Sequence, residues 1–301
     1  MEAYFDNSAT TRVLDSVMDI VTRTMTVDYA NPAAKHIKGM EAENYIRDAR
    51  SIIAKTLKVA DKEILFTSGG SESNNMALIG TAMANKRAGM HIISTNVEHA
   101  SIYNTLGFLQ EQGFEITYLP VDHNGHINLD QLREVVRPDT ILVSVMYVNN
   151  EVGSVEPVAE ISKVIKAKNP STILHVDAIQ AYGKYEIRPK KEGIDLLSVS
   201  GHKIHGPKGV GFLYIDEKVK IRPLIYGGGQ QAGMRSGTEN VPGIVGFGKA
   251  AEIAAANMEE RIKYESELRD YLMDRVIAEI PYARINGRRE NRLPNNANFS
   301  F

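Results

Sequence analysis

Lys203 stands in the segment SGHKIHGPKGVG, residues 200–211, where an apolar run gives way to a Gly/Pro-rich bend. An amine in that setting can condense with an aldehyde to form a Schiff base. Ser200 and His202 lie beside it and can donate hydrogen bonds to a phosphate. Lys208 is a competing amine, but it sits further into the bend. A second segment, TSGGSESNN at 67–75, leads from a strand end into a helix. Gly69 and Gly70 there let the backbone approach an anion closely. The free N–H groups of a helix start suit phosphate, and Ser71 adds a hydroxyl donor. A third segment, LHVDAIQ at 174–180, ends an apolar run on Asp177. Carboxylates are seldom buried without a partner. A pyridine nitrogen that must stay protonated is one such partner, and Gln180 just beyond can reach a ring oxygen. His99, in NVEHASIY, can stack on a flat ring and also move protons. Asn150, in YVNNEVG, can contact a ring oxygen as well. Finally, YGGGQQAGMRSGTEN at 226–240 combines five glycines with Arg235, Ser236 and Thr238, which can bind anions.

Each segment has a plainer rival. Lys203 could be a solvated loop lysine, Ser71 a helix N-cap in a poor capping box with Asn74, and Asp177 a capping carboxylate. His99 could cap a helix or lie on the surface, Asn150 could form a turn, and 226–240 could be a flexible loop. Their conjunction decides between the two sets of readings. A phosphate cradle, a stacking histidine, an anion for a ring nitrogen and a Schiff-base lysine make one complete site for pyridoxal 5′-phosphate (PLP), and each follows a predicted strand.

The elements that must position these residues alternate. Strands are predicted at Ile64–Thr67, His91–Thr95, Glu115–Pro120, Ile141–Tyr147, Ile173–Val176, Leu196–Ser200 and Val210–Ile215. Helices are expected to begin near Ser71, His99, Leu129 and Pro157. An earlier helix is marked by Ala42, Tyr45, Ile46, Ala49, Ile52, Ile53 and Leu57 at helical spacing. This order implies an α/β fold with a largely parallel sheet, whose ligands bind at the C-terminal strand ends. A long helical stretch from Pro242 towards Ile280 leaves the large domain and opens a smaller one. We expect a large domain at 16–245, the start of a small C-terminal domain at 246–301, and an N-terminal segment, 1–15, associated with the small domain. Ala297, Phe299 and Phe301 alternate like one strand face and stop in mid-pattern, so we expect a chain cut inside a domain.

Composition narrows the class further. The formal net charge of -2 argues against a polyanion-binding surface, so no nucleic-acid partner is expected. No run approaches the roughly 20 apolar residues that span a bilayer. MEAYFDNSATTR lacks a basic-then-apolar signal pattern, so a soluble cytoplasmic protein is expected. With no cysteine in the chain, disulfides, thiolate metal sites and any thiol nucleophile are excluded within it, and we expect no metal centre.

At these residues the sequence resembles the cysteine desulfurases of the NifS/IscS type, class V aminotransferase relatives among the fold-type I PLP enzymes. The resemblance runs from YFDNSATT (4–11) and NPAAKHIKG (31–39) through SGGSES, EHASI, NNEVG, HVDAIQ and SGHKIHGPKG to GGGQQAGMRSGTENVPGIVG. It implies a mostly parallel seven-stranded sheet flanked by helices, and a homodimer with its active sites near the subunit interface. It implies that Lys203 carries PLP covalently, that Asp177 faces the pyridine nitrogen and that His99 stacks on the ring. Gln180 and Asn150 would approach the ring oxygen. Gly70, Ser71, Ser200 and His202 would hold the phosphate with Thr238 of the neighbouring subunit. The implied reaction converts L-cysteine to L-alanine and leaves sulfur as a persulfide on an enzyme cysteine, for acceptors such as iron–sulfur cluster scaffolds. The cysteine and the substrate-binding arginine of the family lie beyond the point where this sequence stops. Three accounts stand open: a truncated desulfurase, a second polypeptide that completes the domain, or a PLP protein with other chemistry. Another PLP lyase or aminotransferase, such as a selenocysteine lyase, and a non-catalytic PLP-binding subunit remain the functional alternatives.

Overall fold

The computed structural model describes residues 3–301. Helices α1 (Asp15–Thr26) and α2 (Ile37–Leu57) precede β1 (Ile64–Thr67). A continuous helical run follows: α3 (Gly70–Asn75), a π-helical stretch (Met76–Gly80) and α4 (Thr81–Asn85). The chain then alternates through β2 (His91–Thr95), α5 (Ala100–Glu111), β3 (Glu115–Leu119), α6 (Leu129–Val135), β4 (Thr140–Met146), α7 (Val158–Lys168) and β5 (Ile173–Asp177). Short α8 (Pro189–Glu192) leads to β6 (Leu196–Ser200) and β7 (Gly211–Ile215). It closes with α9 (Val241–Ala256), α10 (Met258–Glu279), β8 (Arg284–Ile285) and β9 (Phe299–Ser300).

Seven strands form one sheet in the order β1-β7-β6-β5-β4-β2-β3. β6, β5, β4, β2 and β3 are parallel, and β7 runs against both of its neighbours. The reversal at β7 has a positional consequence. Gly211 opens β7 opposite Thr67 at the end of β1 and Ser200 at the end of β6. The loop after β1 therefore emerges on the same edge as the loops after β6, β5, β4 and β2.

Alternate strand residues feed two apolar layers, as the twofold period of a strand requires. Phe66, Val145, Val176, Val199 and Phe212 meet α2 and α9, including Ile46, Ile53 and Phe247. Leu65, Ile92, Leu142 and Leu213 meet Met76 and Leu78 of the π stretch and Ile102 and Leu106 of α5. Burial on both faces is why the strands read as nearly continuous apolar runs.

The predicted strands all form, with ends adjusted by hydrogen bonding. Asp177 joins β5 because it pairs with Met146 and Ser198. β3 stops at Leu119 because Pro120 has no N–H to offer. Helix α3 starts at Gly70 with Gly69 as its N-cap, so Ser71 lies inside the first turn and is not the cap. The stretch from Pro242 is two helices that break at Asn257, with Asn240 capping the first through Gly243 N at 3.1 Å. Near the C-terminal end, β9 pairs antiparallel with β8, and the rings of Phe299 and Phe301 lie 6.2 Å apart. Among the described residues no helix is long and apolar enough to cross a membrane.

Helix α9 lies against α2 closely enough that a side chain at Gly248 has no room. A Cβ there would sit 2.7 Å from Ala49 Cβ and 2.9 Å from its Cα. Gly248→Val is expected to destabilise the protein by about 1–3 kcal/mol, the usual cost of overpacking. A chemical denaturation curve reads this directly; an unchanged midpoint would refute the tight contact.

Candidate active site

The strand ends surround a cavity of about 500 Å³. Gly70, Ser71, His99, Asn150, Asp177, Gln180, Ser200, His202 and Lys203 all line it. Thr238 does not; it is exposed on the loop at 226–240. Lys208 is exposed and outside the cavity too.

Lys203 ends a short 3-10 turn, Gly201–Lys203, that follows β6 directly. Its Nζ donates to the carbonyls of Ser8 and Ala9, the second at 2.9 Å. The N-terminal segment is itself stitched to this turn. Thr11 N and Oγ1 donate to His202 O at 3.0 and 2.8 Å, and His205 N donates to Thr11 Oγ1 at 2.7 Å. Half-burial lowers the Lys203 pKa, while the charges of Asp177 and Asp6 partly oppose the shift. A depressed ammonium pKa leaves more neutral, nucleophilic amine.

Asp177 ends β5 and is buried. Ile179 N donates to its Oδ1 at 3.0 Å and Asn74 Nδ2 to its Oδ2 at 2.8 Å. Burial raises its pKa; those two donors and the charges of His99 and Lys203 pull the other way. Asn74 also donates to Ser101 Oγ at 2.9 Å, and Ser101 Oγ lies 2.8 Å from His99 Nδ1. A single amide thus ties the carboxylate to the histidine. His99 caps α5 as well, accepting from Ser101 N at 3.1 Å, so its capping and site readings are compatible.

The cradle side of the cavity is tight. A Cβ on Gly70 would lie 2.2 Å from Ile179 Cδ1, so a larger residue at the start of α3 would have to push the Ile179 side chain aside. Ser200 is buried and His202 is half-buried beside it. His202 Nδ1 lies 3.1 Å from Thr10 Oγ1. Burial, then the nearby Lys203 and Lys208 charges, pushes the His202 pKa down to about 4, so the ring is neutral at neutral pH. Gln180 Nε2 donates to Ser8 O at 3.0 Å. Asn150 Nδ2 donates to Glu151 Oε1 at 2.8 Å, while Asn149 is the residue that shapes the turn through Glu151 N and Val152 N.

Several contributors escaped the sequence reading. Asp6, Ser8 and Ala9 line the cavity, as does Ser101. Their signal was present in the quoted motifs YFDNSATT and EHASI, but no spacing rule links residue 8 to residue 203. Asn74 was visible only as a poor capping partner. Among the described residues no cluster of three metal-ligating side chains occurs.

Comparison with known proteins adds kinship. The family description "Aminotransferase class-V" matches residues 3–301. Cysteine desulfurase IscS of Dictyoglomus turgidum is 47% identical over 300 residues, which is 100% of this chain and 76% of that protein. Cysteine desulfurase IscS of Methanosarcina thermophila is 46% identical over 298 residues, 99% of this chain and 73% of that one. A solved NifS-like protein superposes with a TM-score of 0.97 at 43% identity, covering 100% of this chain and 82% of its own.

The neutral His202 has a measurable consequence. Unfolded, its imidazole titrates near 6.5; folded, near 4. Between those values the unfolded chain binds the extra proton, so stability present above the higher value is lost as pH falls through the lower. His202→Gln should flatten that part of the acid limb in denaturation curves taken from neutral pH downward. An acid limb identical to wild type would show that His202 does not titrate in this window.

Proposed function

The chain belongs to the class V aminotransferase family and is a homologue of the IscS-type cysteine desulfurases, and from that premise we propose that it binds PLP through Lys203 and takes sulfur from L-cysteine, releasing alanine. The family uses PLP, and the residues present fit it. The observation that carries the reading is that Lys203, Asp177, His99 and the Gly70–Ser71 cradle line one cavity. The donor set suits each part of the cofactor. Ser71, Ser200 and neutral His202 are hydrogen-bond donors for a phosphate beside the Gly70 backbone. Asp177 is a buried carboxylate with no cation in contact among the described residues, which suits a cationic ring nitrogen.

When bound, PLP supplies an electron sink for negative charge next to the amino-acid substrate. The chain's own residues do the rest. Asp177 would hold the ring nitrogen in its charged form. His99, kept in orientation by Ser101, would stack on the ring and trade protons with the substrate. Asn150 and Gln180 would meet the ring oxygen. Lys203, with its lowered pKa, would both attach the cofactor and accept a proton at Nζ. Thr238 would complete the phosphate site of a neighbouring subunit in a homodimer, consistent with its exposure outside this cavity. Residues 16–245 would form the large unit and 246–301 part of the small one. A cytoplasmic setting and a sulfur acceptor such as an iron–sulfur cluster scaffold complete the proposal.

Sulfur transfer needs a thiol, and none of the 301 residues is cysteine. The accepting thiol would therefore come from polypeptide outside these residues. The same composition favours one second reading: a PLP-dependent lyase or aminotransferase that uses no enzyme thiol, selenocysteine lyase being an example. Alanine release from L-cysteine, assayed with and without an added cysteine-bearing acceptor protein, separates the two. Acceptor-dependent alanine supports desulfuration. Turnover of L-selenocysteine or transamination without an acceptor supports the second reading.

Lys203→Ala should lose the cofactor mass that borohydride fixes on the wild-type polypeptide. Survival of the adduct would move the attachment to another lysine. Asp177→Asn should weaken PLP binding by about 2 kcal/mol or more, roughly thirtyfold, the range for unpairing a buried charge. A wild-type dissociation constant would remove Asp177 from the ring nitrogen.

A further inference from the structure

Glu98 is the second carboxyl group at this strand edge. It sits between Thr95, the last residue of β2, and His99, the cap of α5. The residue as a whole is half-exposed, but its carboxyl end is not. Oε1 accepts from Thr95 Oγ1 at 2.8 Å and from Met146 N at 3.0 Å, whereas Oε2 is buried with no partner among the described residues. Met146 is the β4 residue in register with Asp177, so Glu98 is braced against the strand next to the ring carboxylate. The charged groups that act on it are Asp177 on β5 and Glu156 on the loop after β4, and both are acidic. Among the described residues no cation contacts Glu98, in contrast to Glu72, which is paired with Arg235 at 2.9 Å.

Two carboxyl groups so placed cannot both ionise cheaply. The hydrogen bonds decide which one gives way. Asp177 receives an N–H on each oxygen and feels the charges of Lys203 and His99. Glu98 receives both of its donors on one oxygen. We propose that Glu98 is a positioning residue that keeps its proton, bracing Met146 and the His99 cap as a neutral acid so that Asp177 alone carries the negative charge. The proposal rests on the PLP reading for its functional meaning, but the protonation state is a property of the apoprotein. Burial, reinforced by Asp177 and Glu156, moves the Glu98 pKa up to about 8. Folding therefore favours the protonated form, and the stability it contributes is lost as pH rises through that value.

The test uses the apoprotein and PLP binding together. Denaturation midpoints are taken from about pH 4 to about pH 9, a span that covers the unfolded and folded titrations. Wild type should lose stability as pH rises from the unfolded value of 4.5 and level off near 8, where the folded group gives up its proton. Glu98→Gln, a neutral isostere, should lack that transition. In Asp177→Asn the transition should move to lower pH, because the repelling charge is gone. A purely structural Glu98 would not respond to Asp177. PLP affinity at neutral pH should drop about tenfold in Glu98→Ala, and Gln should restore it to within about threefold, the neutral hydrogen-bonding side chain being what the site needs. Three results would overturn the idea: an alkaline transition surviving in Glu98→Gln, a transition that ignores Asp177→Asn, or Gln no better than Ala in PLP binding. Should Glu98→Gln not fold, Thr95→Val serves instead. It removes one donor to the carboxylate and should move the transition to higher pH; an unmoved transition counts against the proposal. If wild type takes up no PLP at any pH, the PLP reading fails, and the apoprotein curves still decide Glu98.

Discussion

Lys203 and Asp177 bring opposite charges into one cavity, and the structure keeps them from closing on each other. The amine is held by the carbonyls of Ser8 and Ala9, and the carboxylate by Asn74 and the Ile179 N–H. A direct ion pair would satisfy both groups and leave neither for a ligand. Holding each with neutral partners preserves the field between them at the expense of some desolvation, which both shifted pKa values register. Much of the surrounding architecture serves this separation. The N-terminal segment must return to the turn after β6, and α3 must point an amide at the end of β5.

The sheet makes the separation affordable in space. β5 and β6 are adjacent, so Asp177 and the Lys203 turn leave neighbouring strand ends. Reversal at β7 returns β1 to the same edge, and the glycines at 69 and 70 follow from it. The apolar layers on both faces hold these strand ends in register, because a slip by one residue would turn every core side chain to the wrong face. Precision at the cavity is thus inherited from packing some distance beneath it.

Much of this was legible in the sequence, and the reason is local. Strand ends and helix starts are marked by short-range signals, and the residues that line the cavity after β1, β2, β4, β5 and β6 all sit within a few positions of such a mark. The adjustments came from pairing, as at Asp177, which joins β5 only because Met146 and Ser198 stand opposite. What stayed hidden depends on contacts across long sequence separations. Nothing at residues 8 and 9 announces a tie to residue 203. Asn74 read as an indifferent capping residue because its partner lies on another strand, and nothing in the sequence singles out Glu98, whose buried carboxyl end is decided by β4. Thr238, expected to bind an anion, is exposed and lies outside the cavity of this chain.

The two carbonyls on Lys203 also bear on kinetics. Any aldehyde that reacts with this amine must first draw it away from Ser8 and Ala9, and those carbonyls must then find water or another donor. Entry to the site is therefore an exchange reaction, with an activation step that belongs to the amino-terminal segment and not to the ligand. Loading and unloading rates will track how readily that segment lifts, even where the equilibrium affinity is set entirely by residues on the far side of the cavity.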